Sequence, residues 1–246
     1  MVFRSETETG SRGGGLRIWR RALCAAFLLA PLAFSQQGAW PVRHQHLRGG
    51  AVGTLRVTAD SIAFEERDKK DHLTAHSRQW KYDDIQQLTL GAKTLRIVTY
   101  EDRRLEFGRD REFVFDRLPS TLVAALYSGW RDRLDARFVA ALADDRIHAE
   151  WQVQVKLLHG RNGSQGVLLF GADRIVYKTP QGEESRTWRM GDIENVSSSA
   201  PFDLTVTAHE GEFRFQLKEV LAEDRYNRLW RQISRSHGLE TLVEGN

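Results

Sequence analysis

Ser77-Arg78-Gln79-Trp80, with Asp84-Ile85 just beyond, returns as Ser185-Arg186-Thr187-Trp188 with Asp192-Ile193, and this recurrence decides the fold. Working outward, Gly53-Thr54-Leu55 with Ala59-Asp60-Ser61-Ile62 and Phe64 recurs as Gly166-Val167-Leu168 with Ala172-Asp173-Arg174-Ile175 and Tyr177. Further up, Val42 and His46 fall opposite Val155 and His159. Downstream, Leu95 and Ile97 match Leu204 and Val206, Leu105 and Phe107 match Phe213 and Phe215, and Trp130-Arg131 matches Trp230-Arg231. The offset changes only between matched blocks, as loop insertions would make it. A long internal repeat of this kind marks a duplicated structural unit.

Each copy reads as short strands followed by one helix. Leu55, Val57 and Ala59 alternate with polar residues, Asp60-Ser61 turns the chain, and Ile62 and Phe64 continue; Leu168, Phe170, Ala172, Ile175 and Tyr177 do the same. Such alternation marks half-buried strands. Arg161-Asn162-Gly163-Ser164 carries a hairpin-turn signal. Further hairpins are expected at 95–100 with 104–107, turning at Glu101-Asp102, and at 204–208 with 212–217. The period then changes. Pro119-Ser120 starts a helix whose Leu122, Leu126, Trp130, Leu134 and Phe138 share one face, and Val220, Tyr226, Leu229, Trp230 and Ile233 form the second helix's face, with Gly238 as its stop. About seven strands per copy are expected, with residues 143–148 as the linker and Phe113-Val114-Phe115 as an extra stretch before the first helix.

Seven short antiparallel strands closed by one amphipathic C-terminal helix resemble the bacterial pleckstrin-homology-like (PH-like) domains. Trp80…Asp84-Ile85 and Trp188…Asp192-Ile193 are similar to that family's mid-barrel segment, and Trp130 and Trp230 to its packing-face aromatic. The resemblance implies a mainly β fold of two tandem seven-stranded barrels, each closed by its helix. It divides the chain into domains at 36–142 and 143–237, with a tail at 238–246. A lipocalin-like barrel is the alternative, disfavoured because each unit ends in its own helix.

Residues 1–35 read as a secretory signal: Arg17, Arg20 and Arg21 precede the apolar run 22–34, and Ala33-Phe34-Ser35 offers a cut before Gln36. An export location, periplasmic or extracellular, follows from it; retention as an anchor is the alternative. The lone Cys24 falls inside this segment, so the mature chain is expected to hold no disulfide and no thiolate site. Of 36 Lys+Arg and 33 Asp+Glu, five and two lie in residues 1–35, which leaves 31 of each beyond them. That balance argues against a nucleic-acid binder.

No catalytic set stands out. Asn162-Gly163-Ser164-Gln165-Gly166 lacks the first glycine of a nucleophile elbow, and the pairs Asp83-Asp84 and Asp144-Asp145 read as turn residues. Trp80, Trp188, Trp130 and Trp230 are expected in the cores. In PH domains that bind phosphoinositides, basic residues near the first two strands contact the ligand. The matching positions here are Arg43, His46 and Arg48 in copy one and Lys156, His159 and Arg161 in copy two. The resemblance therefore implies a non-enzymatic module, without cofactor, that meets a protein or an anionic lipid. A metal-binding accessory protein is the alternative: His44 and His46 lie two apart on a strand, and His72 and His76 follow in a polar loop.

Overall fold

The computed structural model describes residues 38–46, 49–103, 106–159 and 163–239; the leader expected at 1–35 and the tail from 240 lie outside them. The fold is mainly β. The first copy contributes β1 (Gly38–His46), β2 (Gly49–Val57), β3 (Ser61–Glu65), β4 (Arg78–Lys81), β5 (Ile85–Gly91), β6 (Leu95–Arg103) and β7 (Glu106–Asp116), then helix α1 (Ser120–Trp130). A short strand, β8 (Phe138–Ala141), follows. The second copy contributes β9 (Trp151–Leu157), β10 (Ser164–Phe170), β11 (Arg174–Lys178), β12 (Arg186–Arg189), β13 (Ile193–Ser197), β14 (Asp203–Ala208), β15 (Gly211–Leu217) and helix α2 (Glu223–Ser236).

Within each copy the strands pair in the same way. The last strand returns to the first, β7 to β1 and β15 to β9, and the fourth and fifth are joined by a single turn of 3-10 helix instead of a ladder. The two sets form one fifteen-stranded sheet whose order runs from β13 at one end to β4 at the other, so it does not close into a barrel. β8 makes the connection: it lies parallel to β5, Leu88 opposite Phe138 through Gly91 opposite Ala141, and meets β12 where Ala140 faces Thr187.

Apolar residues of alternating strands fill two clusters, one from Val42 to Leu142 and one from Val153 to Ile233. Their centres are built alike. Trp80 packs on Phe113 at 4.7 Å and on Phe115 at 6.1 Å; Trp188 packs on Phe213 at 4.9 Å and on Phe215 at 6.4 Å. The repeated arginine joins them, Arg78 standing 5.7 Å from the Phe113 ring centre and Arg186 5.8 Å from that of Phe213, at cation–π distance. The repeated glycines have a steric reason: a side chain at Gly53 would strike the Glu65 carbonyl and the Phe64 ring, and one at Gly166 the Lys178 carbonyl and the Tyr177 ring.

The structure corrects the sequence reading in four places. Phe113 and Phe115, not Leu105 and Phe107, are the counterparts of Phe213 and Phe215, because Leu95 and Ile97 face Phe115 and Phe113 just as Leu204 and Val206 face Phe215 and Phe213. The hairpin of β6 and β7 still pairs beyond Glu101, Asp102 opposite Asp110 and Arg103 opposite Glu106, so Glu101-Asp102 is not its turn. Helix α1 stops at Trp130: Leu134 is buried beyond it, and Phe138 opens β8. Trp130 is wholly buried, but Trp230 is 45% exposed; Leu229 and Ile233 carry the packing of α2, and Val220 is exposed ahead of it.

The two helices also treat the fifth strand of their copies differently. In the first copy the free side of β5 is taken by β8. In the second, α2 lies there instead: Tyr226 Oη donates to the Val196 carbonyl at 3.2 Å, and His237 Nε2 lies 2.8 Å from the Ile193 carbonyl oxygen.

Candidate functional site

The expected basic positions sit at matching rungs. Arg43 lies opposite Asp116 of β7, and Lys156 opposite Gln216 of β15. Arg43 Nε donates to Asp116 Oδ1 at 2.9 Å, its Nη2 pairs with Oδ2, and Gln45 Nε2 donates to Oδ2 at 2.8 Å. These bonds, Arg43's first, hold the Asp116 carboxyl below the usual carboxylate range and raise Arg43 in turn. Arg43 therefore acts as a clamp between strands. At the second rung a glutamine replaces the acid, and Lys156 is half-buried. His159 is exposed, and its carbonyl accepts the Gly163 N–H at 3.0 Å where Gly163 takes φ +59°. His46 closes β1 opposite Gly49, while its side chain, Arg48 and Arg161 fall outside the described residues.

Among the described side chains, the histidines do not converge. His44 is buried at the place where copy two has Leu157, opposite Phe115 as Leu157 is opposite Phe215, and its ring stacks on Phe115 at 4.9 Å. His72 and His76 lie on an exposed loop, beside Asp68 at 3.6 Å and Glu66 at 2.7 Å respectively. Among the described residues, no group of three or more His, Cys, Asp or Glu is placed to hold a metal ion.

The densest polar cluster is one the sequence reading missed. Asp144 has a 2% exposed side chain. It follows β8 between the two copies and collects partners from both. Tyr127 Oη of α1 donates to Oδ2 at 2.9 Å, Arg174 Nη1 of β11 pairs with the same oxygen, and Arg146 gives Oδ1 its backbone N–H at 3.0 Å and its Nε at 3.2 Å. Arg131 Nη1 stands 3.9 Å away. The Asp144 backbone N–H donates to Thr187 Oγ1 at 3.0 Å, which itself donates to the Leu142 carbonyl at 2.8 Å. Burial alone would raise the Asp144 carboxyl; the hydrogen bonds from Arg146 and Tyr127 outweigh it and hold the carboxyl low. Burial, with the Asp144 charge beside it, pushes the Tyr127 hydroxyl up to about 12. Arg174, bonded chiefly to Asp173, is held charged.

A cavity of about 290 Å³ opens beside this cluster, lined by Ala92, Val123, Ala124 and Leu142, with Ser120 and Asp144 among its polar groups. Asp144 reaches it already saturated, as a charge shared among cations, so chemically the arrangement locks surfaces together. Its only sequence signal is Asp144-Asp145-Arg146 interrupting the apolar stretch that begins at Phe138. Tyr127 and Arg174 are too far away in sequence to announce the contact.

No protein-family model matches the sequence, and no curated protein matches it. Among solved structures, the C-terminal domain of an unknown protein from Leishmania infantum aligns at 12% identity over 46% of this chain and 97% of its own, with a TM-score of 0.30. Among the described residues, no helix is long and apolar enough to cross a membrane.

Proposed function

We propose that this chain is a non-enzymatic, exported binding module, a tandem of PH-like units that presents a contact surface to a protein or an anionic lipid. The observation that carries this reading is how the buried charges are spent. Asp144 shares its oxygens among Tyr127, Arg146 and Arg174, each from a different segment, so the best-developed polar cluster joins the copies to one another. Support for the PH-like units comes from the strand pairing common to both copies and from a helix set against the turn between the fourth and fifth strands: Trp130 Nε1 donates to Tyr82 Oη at 3.0 Å in that turn. Each set of seven strands would then curl into one barrel of the pair. PH-like scaffolds serve as platforms whose function lies in the surface grafted on them.

The test is retention from envelope extract on the immobilised full chain, read for both proteins and lipids. Enrichment of a defined protein or lipid over an unrelated exported control is expected. Retention equal to the control would overturn the proposal.

A further inference from the structure

The two closing helices differ in what they bury and in what they expose: α1 buries Leu122, Val123, Leu126, Tyr127 and Trp130, α2 only Leu229 and Ile233. Helix α1 has no charged residue between Ser120 and Trp130. Helix α2 carries Arg225, Arg228, Arg231 and Arg235, with acids only in its first turn at Glu223 and Asp224. Arg228, Arg231 and Arg235 follow the i, i+3, i+7 spacing of a single helix face. That face is turned away from buried Leu229 and Ile233, and all three arginines are exposed. Arg228 approaches Glu150 at 3.7 Å, a surface pair of little strength. The stripe lies off the packing face of α2, so the core does not call for it.

Apolar side chains accompany it. Trp230 is 45% exposed on α2, Leu239 is 47% exposed just past its end, and Phe202 and Val220 are 48% and 55% exposed in the loops before its start. Those loops are tied to each other: the Leu217 N–H donates to the Phe202 carbonyl at 2.7 Å and the Leu221 N–H to the Pro201 carbonyl at 2.8 Å. Half of the exposed large apolar residues among the described ones thus lie on α2 or at its two ends. A row of arginines flanked by tryptophan and scattered apolar side chains fits the headgroup region of an anionic bilayer, where cations meet phosphates and indole rings settle at the boundary.

We infer that the exposed side of α2 docks the protein on anionic phospholipid membranes, through the stripe of Arg228, Arg231 and Arg235, with Trp230, one residue from Arg231 and round the helix between the stripe and the packing face, as the interfacial anchor. This rests on the binding-module reading and names its surface and its partner. The experiment is co-sedimentation of the full chain with phosphatidylcholine vesicles and with vesicles that also contain phosphatidylglycerol. Binding to the mixed vesicles alone, weakened by salt, is expected. The triple variant Arg228→Gln, Arg231→Gln, Arg235→Gln should bind about a hundredfold more weakly, at about fivefold per arginine. Trp230→Ser should weaken binding further, while both variants melt as the parent does. No wild-type binding to the mixed vesicles, or equal binding by the triple variant, overturns the inference. So does binding lost instead in Lys156→Gln with His159→Gln, which would move the surface to the strand edge. A protein enriched from envelope extract alongside failure on vesicles would sink the membrane assignment and leave the binding-module reading standing.

Discussion

At the residue scale, four tryptophans that look equivalent in sequence divide three to one. Trp80, Trp188 and Trp130 are buried at 3%, 1% and 0% exposure, while Trp230 stands out from its helix. Trp130 adds a hydrogen bond to Tyr82 and an edge-to-face contact with Phe138 at 6.0 Å. Trp130→Ala is therefore expected to cost about 3–5 kcal/mol. Trp230→Ala should stay within about 0.5 kcal/mol of the parent, as at an exposed site. Urea denaturation of the two variants checks this; equal losses would show that α2 packs on the tryptophan. The matched pair in the sequence could not reveal the difference, because Leu229 beside Trp230 satisfies the same spacing when the helix turns by one residue.

Strands and helices bring in a second lesson. The alternating runs were legible because each strand shows one face to its core, and the Ser-Arg-x-Trp repeat was legible because Arg78 and Arg186 lie against the same ring in each copy. β8 was not legible. Four apolar residues after a helix read as its continuation, and nothing local says that Phe138 to Ala141 lie along β5. Nor could the Asp144 cluster be read, since its members come from α1, the connection and β11. Asp144→Asn should cost about 3 kcal/mol, because it removes the buried charge on which Tyr127, Arg146 and Arg174 converge. The sign with pH follows from the depressed carboxyl. Its stabilisation is complete above the unfolded carboxylate value near pH 4 and is lost as pH falls through the lower folded value. Melting followed from pH 7 downward should therefore show a shallower acid decline below about pH 4 in Asp144→Asn than in the parent. Parallel curves would remove Asp144 from the acid response.

For the whole molecule, one sheet runs through two cores, and β8 is the strand that carries it from copy to copy. Ala140 faces Leu90 on one side and Thr187 on the other. Proline there cannot serve both neighbours as alanine does, having no N–H and a fixed φ. Ala140→Pro is expected to resolve one calorimetric unfolding transition into two, one for each cluster. A single transition shifted to lower temperature would show that contacts other than β8, the Asp144 cluster among them, suffice to hold the copies together. The sequence disclosed the duplication and the strands common to both copies but not this continuity, because a repeat reports what its copies share and β8 belongs to only one.

The contacts of Tyr226 and His237 with β13 set a limit on assembly. In the first copy the fifth strand accepts another strand at its side; in the second, the same position is held by helix side chains. An open strand border is a template for further chains, and proteins that stay single cover it. At this end of the sheet a neighbouring molecule meets a helix where β8 met a receptive ladder on β5, and the border at β4 is a separate one. Tyr226→Phe with His237→Ala should loosen that cover and make the chain associate more strongly than the parent in analytical ultracentrifugation, whereas association equal to the parent's would show that the rest of α2 suffices as the guard.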